Sequence, residues 1–502
     1  MNYVIGIDLG TSAVKALLVN REGEVLKEAS RPYPVMHEKS GYSEQDPEDW
    51  VRGSFDALHE LTSALTEDEK IDGISFSGQM HGLVMVDCDG AVIRPAILWN
   101  DTRTTAECCE IIEVLGQDQL LKLTKNPALE GFTLPKMLWV KKHEPENWDQ
   151  LSQFMLPKDY LRYRMTGEVA MDLSDAAGTL LLNVEKGEWS KEVLHAFQIE
   201  ETHCPPLLFS TDEAGVLLSE VVAATGLPAD TKVFAGGADN GCGAIGSGVL
   251  KEGMSMCSIG TSGVVLSYEN RGDLDFDGKV HYFNHGVPDA YYTMGVTLAA
   301  GDSLSWYRRN FAPEVSFETL IEEAAKTPPG AEGLLFTPYI SGERTPYADA
   351  VIRGSFIGMD QRHSRGHFTR AVLEGITFSL HESINIFREG GKKIDRIVSI
   401  GGGAKSDFWL QLQADIFDAD IVKLTSEQGP GMGAAMIAAV GSGWFTHLDE
   451  CAERFLNEEK VYVPKIEMKE HYKNLFYIYQ QVYNQTKELS RMLNDSKERV
   501  VQ

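Results

Sequence analysis

One short phrase occurs twice in this chain. Ile5-Gly-Ile-Asp-Leu-Gly-Thr-Ser12 leads into the apolar run Ala13–Val19, and Met256-Cys-Ser-Ile-Gly-Thr-Ser-Gly263 leads into Val264-Val-Leu266, with the two glycines Gly10 and Gly260 standing 250 positions apart. Each phrase is an apolar run, a Gly-Thr-Ser turn and a second apolar run. Apolar residues that close on both sides of so short a polar turn predict a β-hairpin, not a strand feeding a helix. A unit repeated across half of a chain predicts two related halves that face each other. The natural joint falls near Ser247–Gly253, so two domains are expected, residues 1–248 and 249–502.

The rest of the pattern alternates. Trp50, Phe55, Leu58, Leu61 and Leu65 repeat at helical spacing behind Asp46, a candidate N-cap. Ile71–Phe76 and Leu83–Val86 read as strands around Ser77–Gly82. In the second half, helical stretches over 368–389 and 409–417 flank the strand Ile397–Ile400, which runs into Gly401-Gly-Gly-Ala404. Tyr472, Phe476, Tyr479 and Tyr483 repeat at helical spacing in the tail, a stripe expected to pack into a core or domain seam. Strands alternating with helices give an α/β class. At 502 residues, 43% of them hydrophobic, the chain has ample material for such cores.

The formal net charge is −28, a surface that repels phosphate backbones and anionic headgroups, so no nucleic-acid or membrane partner is expected. The seven cysteines form no CxxC or zinc-spaced cluster, which points to a reducing compartment and away from a structural metal. The N-terminal segment has Asp8 where a secretory leader would be apolar, and no run of 18 apolar residues occurs. A cytoplasmic location is the expectation.

Several residues are suited to chemistry. Gly10, Thr11, Ser12, Gly260, Thr261 and Ser262 combine close backbone access with hydroxyl donors, and two such hairpins on opposed halves are expected to clamp one phosphate chain between them. Asp8, at the lip of the first, is the candidate Mg²⁺ ligand. Asp239 follows the apolar run Val233-Phe-Ala235 within a glycine-rich segment, where a carboxylate is placed to act as general base on a hydroxyl or to cap a helix. Gly241-x-Gly243-x-x-Gly246, with Glu269 beyond, has the spacing of a dinucleotide fingerprint, the mark of a dehydrogenase. It is set aside because a second hairpin follows it where a crossover helix should, and Asp239 precedes its first glycine. Gly402 and Gly403 form a third glycine turn, with Ser406 beyond it as either cap or ligand. There is no P-loop and no protein-kinase motif set. Gln79, Met80 and His81 lie in a glycine-bounded loop and suit neutral sugar hydroxyls, with the aromatic face of Trp99 nearby in sequence.

Together, Ile5–Ser12, Gly78–Gly82, Pro95–Arg103, Gly236–Asn240, Ser258–Ser262 and Gly401–Ala404 resemble the FGGY carbohydrate kinases. Within that family Gln79–Gly82 and Ser174–Thr179 resemble the bacterial members that act on xylulose. The resemblance implies two actin-like, ribonuclease H-like ATPase domains around a central cleft. It implies ATP and Mg²⁺ as cofactors and in-line phosphorylation of D-xylulose to D-xylulose 5-phosphate, with another ketose, polyol or sugar acid as the alternative acceptor. By motif, Asp239 is the catalytic base and Asp8 belongs to the metal and phosphate site. Gln79, Met80, His81, Asp239 and Asn240 surround the sugar. Gly10, Thr11, Ser12, Gly260, Thr261, Ser262, Gly402, Gly403 and Ser406 hold the nucleotide. Ser406 stands where Asn is frequent in the family, and Tyr347 where His is common. The expected partner is a small-molecule sugar, with a homodimer left open. The competing class is a non-kinase, actin-like regulator that uses nucleotide without transferring phosphate.

Overall fold

The computed structural model of the chain describes residues 1–63, 65–66, 68–425 and 428–501, with side chains through 496. The first half opens with β1 (Asn2–Leu9), β2 (Ala13–Val19), β3 (Val25–Pro32), α1 (Pro47–Thr62) and β4 (Lys70–Gly78). After a long insertion of helices and short strands it adds β5 (Glu213–Val216), β6 (Lys232–Phe234), β7 (Gly237–Ala238) and α2 (Asp239–Gly246). The strands form one sheet in the order β5-β6-β4-β1-β2-β3, with β7 also on β4. β1 is antiparallel to β2 and parallel to β4. It is covered on both faces, which is why Tyr3–Ile7 carries no polar residue.

The second half repeats this plan. It runs through β8 (Met254–Ile259), β9 (Gly263–Glu269), β10 (His281–Asn284), β11 (Tyr291–Thr297), α3 (Gly301–Phe311), α4 (Phe317–Ala325), α5 (Arg365–Glu389), β12 (Arg396–Gly401), α6 (Asp407–Phe417), β13 (Asp420–Leu424), α7 (Gly429–Gly441), β14 (Glu458–Tyr462) and α8 (Ile466–Val501). The sheet order is β10-β11-β9-β8-β12-β13-β14, with β8 antiparallel to β9 and parallel to β12. Antiparallel strands followed by parallel ones thus occur in both halves, three in the first sheet and four in the second, so the repeated phrase does mark a repeated α/β sheet with a hairpin at its centre.

Local signals account for several elements. The Asp46 side chain accepts from Glu48 N at 3.0 Å, and Pro47 takes the first helical position of α1, where its missing N–H costs nothing. The aromatic stripe of α8 is core. Tyr472, Phe476 and Tyr479 are buried, and Tyr479 and Phe476 lie 5.4 and 4.4 Å from Phe378 and His381 of α5. Tyr347 stacks on Tyr483 of α8 at 3.7 Å.

The glycine-rich stretch resembling a dinucleotide fingerprint has another use. Gly241, Gly243 and Gly246 lie inside α2, which packs on α7. A Cβ on Gly246 would stand 2.3 Å from the Gly429 carbonyl oxygen, and one on Gly433 would stand 1.9 Å from that of Cys242. Only glycine lets the two helices touch backbone to backbone. Through this contact α7, from the second half, lies on β1 and β4 of the first sheet, where Met432, Ala435 and Ile437 join Val4, Leu17 and Phe234 in one core. Among the described residues no helix is long and apolar enough to cross a membrane.

Candidate active site

Both Gly-Thr-Ser turns lie at sheet centres, at the same end of equivalent strands. In the first, Gly10 N donates to Ala13 O at 3.1 Å; in the second, Gly260 N donates to Ser262 O at 3.0 Å. The backbone N–H groups of Thr11, Ser12, Thr261 and Ser262 donate to nothing among the described residues. Two amides per turn therefore remain for an anionic ligand. The Thr11 hydroxyl is already engaged, donating to Gln79 Oε1 at 3.1 Å and accepting from Trp99 Nε1 at 2.9 Å. Gln79 also donates to Gln45 Oε1 at 3.1 Å, so its amide braces the hairpin from beneath.

Asp8 ends β1 beside Ser77 of β4, whose hydroxyl donates to Asp8 Oδ1 at 3.0 Å. Burial lifts Asp8 to about 6, against the smaller opposing effects of Ser77 and the Lys15 ammonium. Asp8 Oδ2 has no hydrogen-bond partner among the described residues, and Lys15 is occupied by Gln428 at 2.7 Å and Glu28 at 3.0 Å. Hard carboxylate oxygens short of a compensating cation fit Mg²⁺.

Asp239 is the first residue of α2, directly after β7, whose Ala238 pairs with Gly78 of β4 beside the end of β1. Its Oδ1 accepts from Asn240 N at 2.7 Å and Asn240 Nδ2 at 3.0 Å. Burial, reinforced by the Asp8 charge, raises it to about 7. Asn240 Nδ2 also reaches Met80 Sδ at 3.6 Å, and the Tyr292 hydroxyl of β11 approaches the same sulfur at 4.0 Å.

His81 adopts a left-handed backbone with φ +67°. Its ring lies 4.6 Å from Phe132 and 6.1 Å from Phe283 of β10, so residues of both halves pack against it. Nδ1 meets Gly178 O at 2.6 Å; because a carbonyl only accepts, Nδ1 carries the proton and Nε2 is left as an acceptor. Burial pushes the imidazole down to about 3, with the Lys136 and Arg344 charges adding to the effect, so the ring is neutral. Lys136, itself fully buried, donates to His81 O at 2.9 Å and Gly131 O at 2.6 Å.

A cavity of about 790 Å³ opens beside the second hairpin, between α3, α4 and α6. Gly260, Thr261, Gly402 and Ser406 line it. Ser406 also caps α6, accepting from Trp409 N at 3.3 Å. Gly403 does not reach the cavity; it packs under it, where a Cβ would stand 2.6 Å from the Ile259 side chain. Sequence reasoning missed the opposite wall, Asp302 and Ser305 of α3 with Phe317 and Ile321 of α4. The half-exposed Phe317 and Ile321 offer a flat apolar face, but nothing local to either marks it. Phe132, Phe283, Tyr292 and Lys136, buried around His81 and Met80, were likewise unmarked in the sequence.

Two comparisons of sequence agree with this geometry. Residues 3–246 match the FGGY family of carbohydrate kinases, N-terminal domain, and residues 255–442 match its C-terminal domain. A xylulose kinase of Bacillus subtilis (strain 168) is 59% identical over 494 residues, 98% of this chain and 99% of that one. Among solved structures, a ligand-bound xylulose kinase from Lactobacillus acidophilus superposes with a TM-score of 0.93 at 28% identity, over 97% of this chain and 99% of that one. A gluconate kinase from Lactobacillus acidophilus superposes with a TM-score of 0.92 at 29% identity, over 97% and 98% of the two chains. With two actin-like halves, a hairpin at the centre of each and matches spanning nearly its whole length, the chain belongs to the FGGY family of carbohydrate kinases.

Proposed function

We propose that the chain transfers the γ-phosphoryl group of ATP to the terminal O5 hydroxyl of D-xylulose, giving D-xylulose 5-phosphate, with residues 1–248 and 249–502 as its two domains. One observation carries the chemistry: a carboxyl poised near neutrality, Asp239, lies within electrostatic reach of Asp8 and follows a strand that ends level with the first hairpin and its free amides. Phosphoryl transfer needs in-line positioning and charge neutralisation more than covalent help. The hairpin amides hold the phosphates, and the 790 Å³ cavity with Phe317 and Ile321 takes the nucleoside. Mg²⁺ held by Asp8 would supply neutralisation of the phosphate charge. Asp239 takes the proton from O5 as it attacks, and a base near 7 is matched to neutral pH. Asn240, through its paired bonds to Asp239, keeps that carboxylate from turning away.

The acceptor is the open-chain ketose, because a furanose ring of xylulose would consume O5. In that form every sugar oxygen is a hydroxyl or a ketone. The neutral His81, with Nε2 as acceptor, accepts a hydrogen bond from a sugar hydroxyl, while Met80 and Phe132 cover its apolar edges.

The sugar-acid reading is favoured by one feature. Arg344 reaches a cavity of about 510 Å³ beside His281 and forms no ion pair among the described residues, so it is available to a carboxylate. A coupled assay of ADP release across pentuloses, hexuloses, polyols and gluconate separates the two. Xylulose is expected to give the highest kcat/KM; gluconate as the best acceptor would overturn the assignment.

A further inference from the structure

The segment Asp172–Thr179 lies outside both hairpins and touches no part of the nucleotide cavity, yet it reaches both halves of the sugar chemistry. At one end Gly178 O fixes the tautomer of His81. At the other, the Ser174 hydroxyl accepts from Ala238 N at 2.9 Å, and Ala238 is the residue before Asp239. The same hydroxyl donates to Asp172 Oδ2, which also accepts from Ser174 N at 2.8 Å. Asp172 is fixed in turn by Lys158, whose Nζ lies 2.6, 2.7 and 3.0 Å from Asp159, Asp172 and Asp175. Arg162 adds a second cation, 3.0 Å from Asp159 and donating to Ala235 O at 3.0 Å. All six side chains are fully buried. The ammonium fills the centre of the three carboxylates, so the cluster offers no room for a metal ion. Burial holds Asp175 well above the usual carboxylate range.

Such a cluster is costly to build and rigid once built. It ends on one backbone amide. A Cβ on Gly237 would stand 3.1 Å from Ser174 Oγ, so the strand carrying Asp239 is pressed directly onto that hydroxyl. We infer that Ser174, backed by Asp172 and Lys158, is a positioning residue for phosphoryl transfer, fixing the backbone from which Asp239 projects. The inference rests on the reading of Asp239 as the base.

Ser174→Ala tests it. Losing the fixed backbone lets the base drift, and kcat per active site should fall about tenfold or more. The sugar KM should change little, because the Gly178–His81 contact does not pass through Ser174. The acid limb of the pH–rate profile should move to lower pH, since a freed Asp239 reaches cleft water; a purely structural defect lowers the number of active molecules and leaves that limb in place. Should Ser174→Ala not fold, Ser174→Cys keeps the volume with only a weak acceptor, and the same readouts apply. Unchanged kcat per active site with an unmoved limb overturns the inference. Asp239→Asn is assayed alongside: collapse there with no effect at Ser174 refutes the positioning role alone, whereas full turnover there removes the base reading beneath it.

Discussion

The carboxylate of Asp8 raises the pKa of Asp239, adding to a larger effect of burial, and the two together bring the base to about 7. The base works when deprotonated, so kcat/KM should climb as pH rises through about 7 and level above it. Asp8→Asn removes the like charge. Its acid limb should therefore sit at lower pH than that of the parent, even as its maximal rate drops through the damaged phosphate site. A pH series of kcat/KM on both proteins checks the sign; a limb that moves upward would contradict the coupling.

Asp239→Asn separates catalysis from stability. Turnover should fall by about 10²–10⁴-fold, the range general base catalysis supplies, while calorimetry still detects sugar binding. The same change should stabilise the fold. From the ordinary value of 3.8 up to about 7, the folded protein retains a proton that the unfolded chain has lost. Ionising the buried carboxyl therefore costs stability progressively across that window and by a constant amount above it. The variant escapes this cost, on the order of 2 kcal/mol once its access to cleft water is allowed for. Its Tm advantage should be absent near pH 4, grow toward pH 7 and then stay flat.

The hairpins, and the place of Asp239 just after a strand, were legible in sequence because their signals are local. Gly10 and Gly260 sit beside the strands they turn, and Asp239 directly follows the strand that delivers it. The fingerprint Gly241–Gly246 was open to misreading because the one glycine in it that packing requires, Gly246, meets its partners Gly429 and Gly433 in distant α7. Lys158, Asp159, Asp172 and Asp175 look in sequence like ordinary surface charges; only the tertiary fold turns them inward upon one another. Gln79 was read as a sugar ligand from its chemistry alone, and its actual partners, Thr11 and Gln45, come from distant segments. The apolar wall of the 790 Å³ cavity was invisible because Phe317 and Ile321 stand on an amphipathic helix that looks like any other.

The joint between the halves offers an internal control. Gly433→Ala would place a methyl 1.9 Å from the Cys242 carbonyl oxygen, a backbone atom that cannot step aside. Overpacking of this kind costs about 1–3 kcal/mol, and the upper end is expected here. Gly243→Ala, in the opposing helix, meets its nearest neighbour at 3.8 Å. It should be neutral, or gain up to about 1 kcal/mol from better helix propensity. Denaturant titrations of both variants decide the matter; equal effects would mean that glycine in α2 and α7 does not serve close packing.

Lys136 is a buried ammonium that spends its hydrogen bonds on two loop carbonyls, those of His81 and Gly131. No carboxylate lies within ion-pair distance of it among the described residues, and burial brings it down to about 7. Its removal should thus relieve an electrostatic cost while loosening the left-handed turn that presents His81. Lys136→Met fills nearly the same volume without the charge. It should fold with an unchanged or raised Tm, yet raise the sugar KM about tenfold, the worth of roughly one hydrogen bond. The ATP KM should hold, since the nucleotide cavity is walled by α3, α4 and α6 with no contribution from this loop. Steady-state titration of each substrate at saturating levels of the other reads both constants. Parallel increases in the two, or none in either, would show that Lys136 supports the fold without orienting the sugar-facing histidine.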